Sequence, residues 1–153
     1  MTGELYVVAT PIGNMDDMSP RAVDVLKAVD LVAAEDTRHS SRLFSHFGIK
    51  TPMVSYHDHS DNKQIHTILD MLLCGKSVAL ISDAGTPLIS DPGYRLVKTI
   101  RKKGLKIVPI PGSCALIAAI SASGLSSDRF IFEGFLPAKS AGRISKLKSV
   151  AEE

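Results

Sequence analysis

Two carboxylates, an arginine and a histidine stand together in "AAEDTRHSSR", as Glu35, Asp36, Arg38 and His39. Carboxylates beside a cation suit proton transfer next to a phosphate, the acid taking the proton and the guanidinium the anion. Three readings fit the spacing. An acid about 20 residues beyond a glycine loop can hold a ribose hydroxyl in dinucleotide-binding folds, although no GxGxxG fingerprint occurs in this chain. The cluster can instead be a polar site with Glu35 and Asp36 as proton acceptors and Arg38 as a phosphate grip. The third reading is local: Thr37 leads a helix whose positive end favours nearby acids.

Three short loops concentrate glycine and proline: "TPIGN" at 10–14, "SDAGTP" at 82–87 and "PGSCA" at 111–115. Glycine lets a backbone approach a ligand closely, and proline fixes the turn that presents it. One such loop is ordinary turn chemistry, but three at strand ends favour a ligand site. Other motifs fail on inspection. "CGKS" at 74–77 has Asp70 where a phosphate loop needs its first glycine, and a helical pattern rather than a strand precedes it. "YHDHS" at 56–60 offers two histidines but no further ligands at metal spacing. Cys114 has no histidine or asparagine placed by a local signature, so it reads as a small residue in a tight loop.

The elements that must hold these residues follow from the apolar pattern. Short apolar runs lie at 5–9, 31–34, 53–56, 77–81, 106–110 and 130–133 and predict buried strands. Helical patterns alternate with them. Ser19 and Pro20 open one as N-cap and first helical residue. Ile65, Ile68, Leu69 and Leu72 form the apolar face of another, and Asp91 with Pro92 reads as the start of a third. "SCALIAAISASG" is apolar nearly all round and predicts a buried helix. Strand then helix, repeated, predicts an α/β fold with a mostly parallel sheet flanked by helices. Ligands bind such sheets at the carboxyl ends of strands. The chain is thereby expected to divide into an α/β domain over 1–134 and a linker with the start of a second domain over 135–153.

The bulk composition sets bounds. The 153 residues are 44% hydrophobic and 22% charged, enough for one sizeable core, and the net charge of +2 does not by itself argue for nucleic acid. Two distant cysteines, no basic leader and no apolar run of membrane-spanning length predict a cytoplasmic, non-membrane protein.

"LYVVATPIGN", "AAEDTRHS", "SDAGTPLISDPG", "IPGSCALIAAISASGL" and "DRFIFEGFLP", in this order, resemble the small-subunit ribosomal RNA methyltransferase I family of the tetrapyrrole methylase superfamily. That resemblance covers nearly the whole chain. It implies a tetrapyrrole-methylase-like domain, S-adenosylmethionine as methyl donor, and methylation of a cytidine ribose 2′-hydroxyl in small-subunit ribosomal RNA. It implies ribosomal RNA or the ribosomal subunit as partner, and a homodimer. It also implies a second α/β domain after "GFLP", so the sequence reads as an N-terminal part. Carried onto this sequence, it places the donor against Pro11 and Gly13, against Asp83, Ala84, Gly85 and Thr86, and against Gly112, Ser113, Cys114 and Ala115. Glu35, Asp36 and Arg38 are left as candidate catalytic residues. "TPIGN" departs from the glycine-rich first loop of corrin and porphyrin methylases, which favours the RNA branch. A binding module without activity and a methylase of a small tetrapyrrole are the rivals.

Overall fold

A computed structural model of the chain describes residues 2–57 and 62–151. Five strands form one sheet: β1 (Leu5–Val8), β2 (Leu31–Ala34), β3 (Met53–Ser55), β4 (Val78–Ile81) and β5 (Ile107–Ile110). Their order is β3-β2-β4-β1-β5, and every pairing is parallel. Six α-helices accompany them: α1 (Pro20–Ala28), α2 (Thr37–Phe47), α3 (Asn62–Leu73), α4 (Tyr94–Lys102), α5 (Ala115–Ala122) and α6 (Ser140–Val150). The chain forms two compact units, Met1–Ser123 and Gly124–Glu153. The first holds the sheet and α1 to α5, and the second holds α6.

The period-2 pleat divides the strand residues between two cores. Leu5, Leu31, Ala33, Val78 and Leu80 join one cluster with Ile65, Ile68 and Leu72 of α3 and Leu96 and Ile100 of α4. Val8, Val32, Ala34, Ala79 and Ile81 join the other with Ala22 and Leu26 of α1 and Leu43 and Phe44 of α2. Burial on both faces explains why these strands read as unbroken apolar runs. Each fully buried Leu or Ile contributes about 1.5–3 kcal/mol of transfer free energy.

Local signals set several helix ends. Ser19 Oγ accepts the Ala22 N–H at 3.1 Å and Pro20 is the first residue of α1, as its sequence predicts. Three expectations are corrected. Helix α4 begins at Tyr94 with Gly93 at its cap and no side-chain cap bond, so Asp91 and Pro92 belong to the preceding loop. Gly93 stands at φ +130°, a backbone conformation that no residue inside a helix starting at Pro92 could hold. Helix α5 forms but has no buried residue, because its apolar character exceeds what this unit covers. Residues 130–133 form no strand, and Phe130, Ile131 and Phe132 are about half exposed. The "YHDHS" motif lies partly outside the described residues.

Candidate functional site

The strand order decides where the loops meet. From β1 the chain crosses toward β2 on one side of the sheet, and from β4 it crosses toward β5 on the other. The adjacent strands β1 and β4 therefore flank a topological switch point, where departing connections leave a crevice at the carboxyl edge. The loops after β1, β4 and β5 converge there because β4, β1 and β5 are neighbours.

Short bonds weld the loops together. Thr10 and Gly85 exchange backbone bonds, Thr10 N–H to Gly85 O at 2.9 Å and Gly85 N–H to Thr10 O at 3.0 Å. The buried Thr10 hydroxyl donates to Ser82 O at 3.2 Å. Thr86 Oγ1 donates to Ser113 O at 3.0 Å and ties the β4 loop to the β5 loop. Gly85 sits at φ +86°, where a Cβ would lie 3.3 Å from Ile12 Cγ2 and 3.7 Å from Ser113 O. Gly112 has a different reason to be small: a Cβ there would lie 3.0 Å from the Ala9 Cβ. Among the described residues the backbone N–H groups of Ala84, Ser113 and Cys114 make no hydrogen bond. They are donors left for something else.

The β2 loop joins this cluster through carboxylates. The Asp36 N–H donates to Asp83 Oδ1 at 3.1 Å, and the Asp83 N–H donates to Glu35 Oε2 at 3.2 Å. Asp36 has further local work. Its Oδ1 caps α2 by accepting the Arg38 N–H at 2.8 Å, and its Oδ2 pairs with the Arg38 guanidinium at 3.0 Å. The Arg38 side chain, then its backbone N–H, hold the Asp36 carboxyl at about 2. A carboxylate so stabilised is a weak base near neutrality. The Asp91 carboxyl is pushed up by burial, while the Ser82 hydroxyl pulls it down and the Asp83 charge adds to the rise. Ser82 is 2% exposed, and its Oγ does not reach hydrogen-bonding geometry with any described group.

A cavity of about 310 Å³ opens between the β1 loop, α2 and the β4 loop. Four of the residues assigned to the donor from the sequence border it: Pro11, Gly13, Asp83 and Ala84. Gly85, Thr86 and Gly112 to Ala115 are not part of its lining; Thr86 is tied to the β5 loop at Ser113, and a Cβ on Gly85 would lie 3.7 Å from Ser113 O. Glu35, Asp36 and Arg38 do not line it either. Helix α2 instead contributes His39, Ser40, Arg42 and Leu43. Of these, only His39 stood out in the sequence. Arg42 and Leu43 become visible as site residues only once the face that α2 turns to the β1 loop is known. Among the described residues no cluster of three or more His, Cys, Asp or Glu has the arrangement of a metal site.

The architecture is that of an α/β domain with a cavity at the carboxyl edge of a parallel sheet. The chain belongs to the tetrapyrrole (corrin/porphyrin) methylase family, whose sequence profile matches residues 4–153. Membership of a methylase family implies a methyl donor. The chain is 64% identical over 151 residues to the ribosomal RNA small subunit methyltransferase I of Pseudomonas aeruginosa, covering 99% of this chain and 54% of that protein. It is 56% identical over 151 residues to the protein of the same description in Escherichia coli O157:H7, covering 99% and 53%. The chain thus spans about half the length of the curated relatives it matches. Among solved structures, diphthine synthase superimposes with a TM-score of 0.66 at 20% identity, covering 84% of this chain and 52% of that one. Uroporphyrin-III-C-methyltransferase from Thermus thermophilus gives 0.63 at 22% identity, covering 82% and 55%. These two establish the fold. Among the described residues no helix is long and apolar enough to cross a membrane.

Proposed function

We propose that this chain carries the donor-side loops of an S-adenosylmethionine-dependent methyltransferase that modifies the 2′-hydroxyl of a cytidine ribose in small-subunit ribosomal RNA. The observation that carries the reading is the convergence of the β1, β4 and β5 loops beside a cavity at the switch point. The relatives named for ribosomal RNA, at 64% and 56% identity, favour RNA over a tetrapyrrole as acceptor.

When bound, S-adenosylmethionine supplies a methyl group already activated on a sulfonium. The residues present fit such a ligand: small side chains at Ala84, Gly85, Gly112 and Ser113, with the N–H groups of Ala84, Ser113 and Cys114 uncommitted. In this reading Gly85, Thr86 and Gly112 to Ala115 hold the donor from the β5 side. Pro11, Gly13, Asp83 and Ala84 flank the point where the acceptor oxygen meets the methyl, and the chain's contribution is chiefly alignment. A ribose hydroxyl attacks well only when its proton is accepted. Asp83 borders the cavity and Glu35 fixes it through its backbone N–H, so this pair takes that role in preference to Asp36. Asp36 keeps α2 capped, and the Arg38 guanidinium, 92% exposed, faces incoming phosphate. The same reading puts the reaction in the cytoplasm, where ribosomal subunits are, and includes a homodimer, which sedimentation equilibrium tests.

Two measurements test the reading. Calorimetric titration of the chain with S-adenosylmethionine should show one site per chain. Labelled methyl should pass to small ribosomal subunits and not to uroporphyrinogen, with Glu35→Gln and Asp83→Asn lowering the rate by about 10²-fold or more. Absence of donor binding, or label on the tetrapyrrole, overturns it.

A further inference from the structure

We propose that the cavity between the β1 loop and α2 is a nucleotide subsite bordering the donor loops, in which Arg42 and His39 hold a phosphate of the acceptor strand. The inference rests on the reading of the chain as part of an RNA methyltransferase and adds the residues that seat its substrate.

The division of the loops comes first. The donor-assigned residues split into a set on the β5 side and a set bordering the cavity. An in-line displacement needs the acceptor oxygen opposite the sulfonium across the methyl carbon, in one continuous space, and Pro11, Gly13, Asp83 and Ala84 are where the donor-assigned loops border the cavity. What faces them across the cavity is α2.

The chemistry of that wall selects a nucleotide. Helix α2 carries two arginines one turn apart, and they differ in commitment. Arg38 is paired with Asp36 at 3.0 Å. The Arg42 side chain is exposed and, among the described residues, makes no ion pair or hydrogen bond, yet it lines the cavity beside His39. A guanidinium with no internal partner at a cavity mouth is a ready fork for phosphate oxygens, and an imidazole beside it adds a donor. Opposite them, Ile12 and Met15 are partly exposed large apolar side chains that offer a surface to a base. The Asp83 carboxylate at the β4 end repels a phosphate and attracts a hydroxyl, so the phosphate lies toward Arg42 and the sugar toward Asp83. A volume of about 310 Å³ is at the small-ligand end of binding cavities, adequate for one nucleotide.

The test titrates the wild-type chain, Arg42→Ala, Arg42→Lys and His39→Ala with cytidine 5′-monophosphate, cytidine, inorganic phosphate, uroporphyrin III and S-adenosylmethionine in separate arms. The monophosphate should bind about tenfold or more tightly than cytidine to the wild type. That ratio should fall close to one in Arg42→Ala, be partly kept in Arg42→Lys, and drop less in His39→Ala. S-adenosylmethionine affinity should be the same in all four proteins. An unchanged ratio in Arg42→Ala overturns the subsite, as does inorganic phosphate competing as well as the nucleotide. Donor affinity falling together with nucleotide affinity assigns the cavity to the donor and also overturns it. Failure of the donor to bind any of the four proteins, with the Arg42-dependent nucleotide binding intact, counts against the methyltransferase reading and leaves the subsite standing. Uroporphyrin binding that depends on Arg42 overturns both.

Discussion

Gly85→Ala is the sharpest probe of the loop junction. Gly85 lies at φ +86° and exchanges two backbone bonds with Thr10, so it cannot relax without breaking the bridge between the β1 and β4 loops. An alanine held at positive φ costs about 1–2 kcal/mol. The new Cβ would also stand 3.3 Å from Ile12 Cγ2, the end of a side chain that is 38% exposed and able to move by a few tenths of an ångström. The contact with Ser113 O at 3.7 Å is ordinary. The backbone term therefore dominates. A loss of about 1–2 kcal/mol lowers the melting temperature of a unit of this size by roughly 4–10 °C. If the loop yields instead of the fold, the strain appears as weaker donor binding, about tenfold for each 1.4 kcal/mol. Urea unfolding followed by circular dichroism and a calorimetric donor titration read the two together. Adding Ile12→Ala should recover only a small part of the loss, because φ is unchanged. A Gly85→Ala protein with wild-type stability and wild-type donor affinity would refute the reasoning, and full recovery by Ile12→Ala would show that crowding, not φ, sets the cost.

Two further outcomes follow from the same loops. Thr86→Val removes the 3.0 Å bond to Ser113 O and should cost about 1 kcal/mol of stability, with a parallel fall in donor affinity; an unchanged denaturation midpoint would show that the loops need no such tie. Asp91→Asn should be stabilising at pH 7. Burial raises the Asp91 pKa above 3.8, so its ionised form disfavours the fold, and the penalty grows as pH rises through the folded-state value. The advantage of Asn should shrink as pH falls and vanish below about 3.8, and melting curves from pH 3 to 7 would reveal an advantage that persists in acid, the contrary result.

Much of the architecture was legible because its causes are local. The apolar runs at 5–9, 31–34 and 77–81 match β1, β2 and β4 to within a residue, since strands buried on both faces need continuous Val, Leu, Ile and Ala. Ser19 with Pro20 marked the start of α1, and the spacing of Ile65, Ile68, Leu69 and Leu72 marked the buried face of α3. Where local pattern misled, a non-local term prevailed. "FIFE" has the composition of a strand but pairs with no strand among the described residues, and a strand exists only by its ladder. "SCALIAAISASG" has the composition of a buried helix, but burial belongs to what lies against a helix, and among the described residues α5 is covered only in part, at Leu116 and Ile120. Asp91 and Pro92 have the types of a helix start, yet Gly93 stands at φ +130°, outside the helical region, so the helix begins at Tyr94.

The sequence by itself determined the alternation of strand and helix, the small residues of the three loops and the presence of Glu35, Asp36 and Arg38 at the end of a strand. Periodicity, capping and glycine chemistry act over a few residues, and so they are written in order along the chain. Only the tertiary structure decided that β4, β1 and β5 are neighbours, that Glu35 fixes Asp83 while Asp36 is spent on Arg38, and that α2 turns Arg42 toward a cavity beside Ser82. Strand order depends on contacts between residues as far apart as 5 and 107. No local propensity encodes such pairs; the packing of two cores on either face of the sheet selects them.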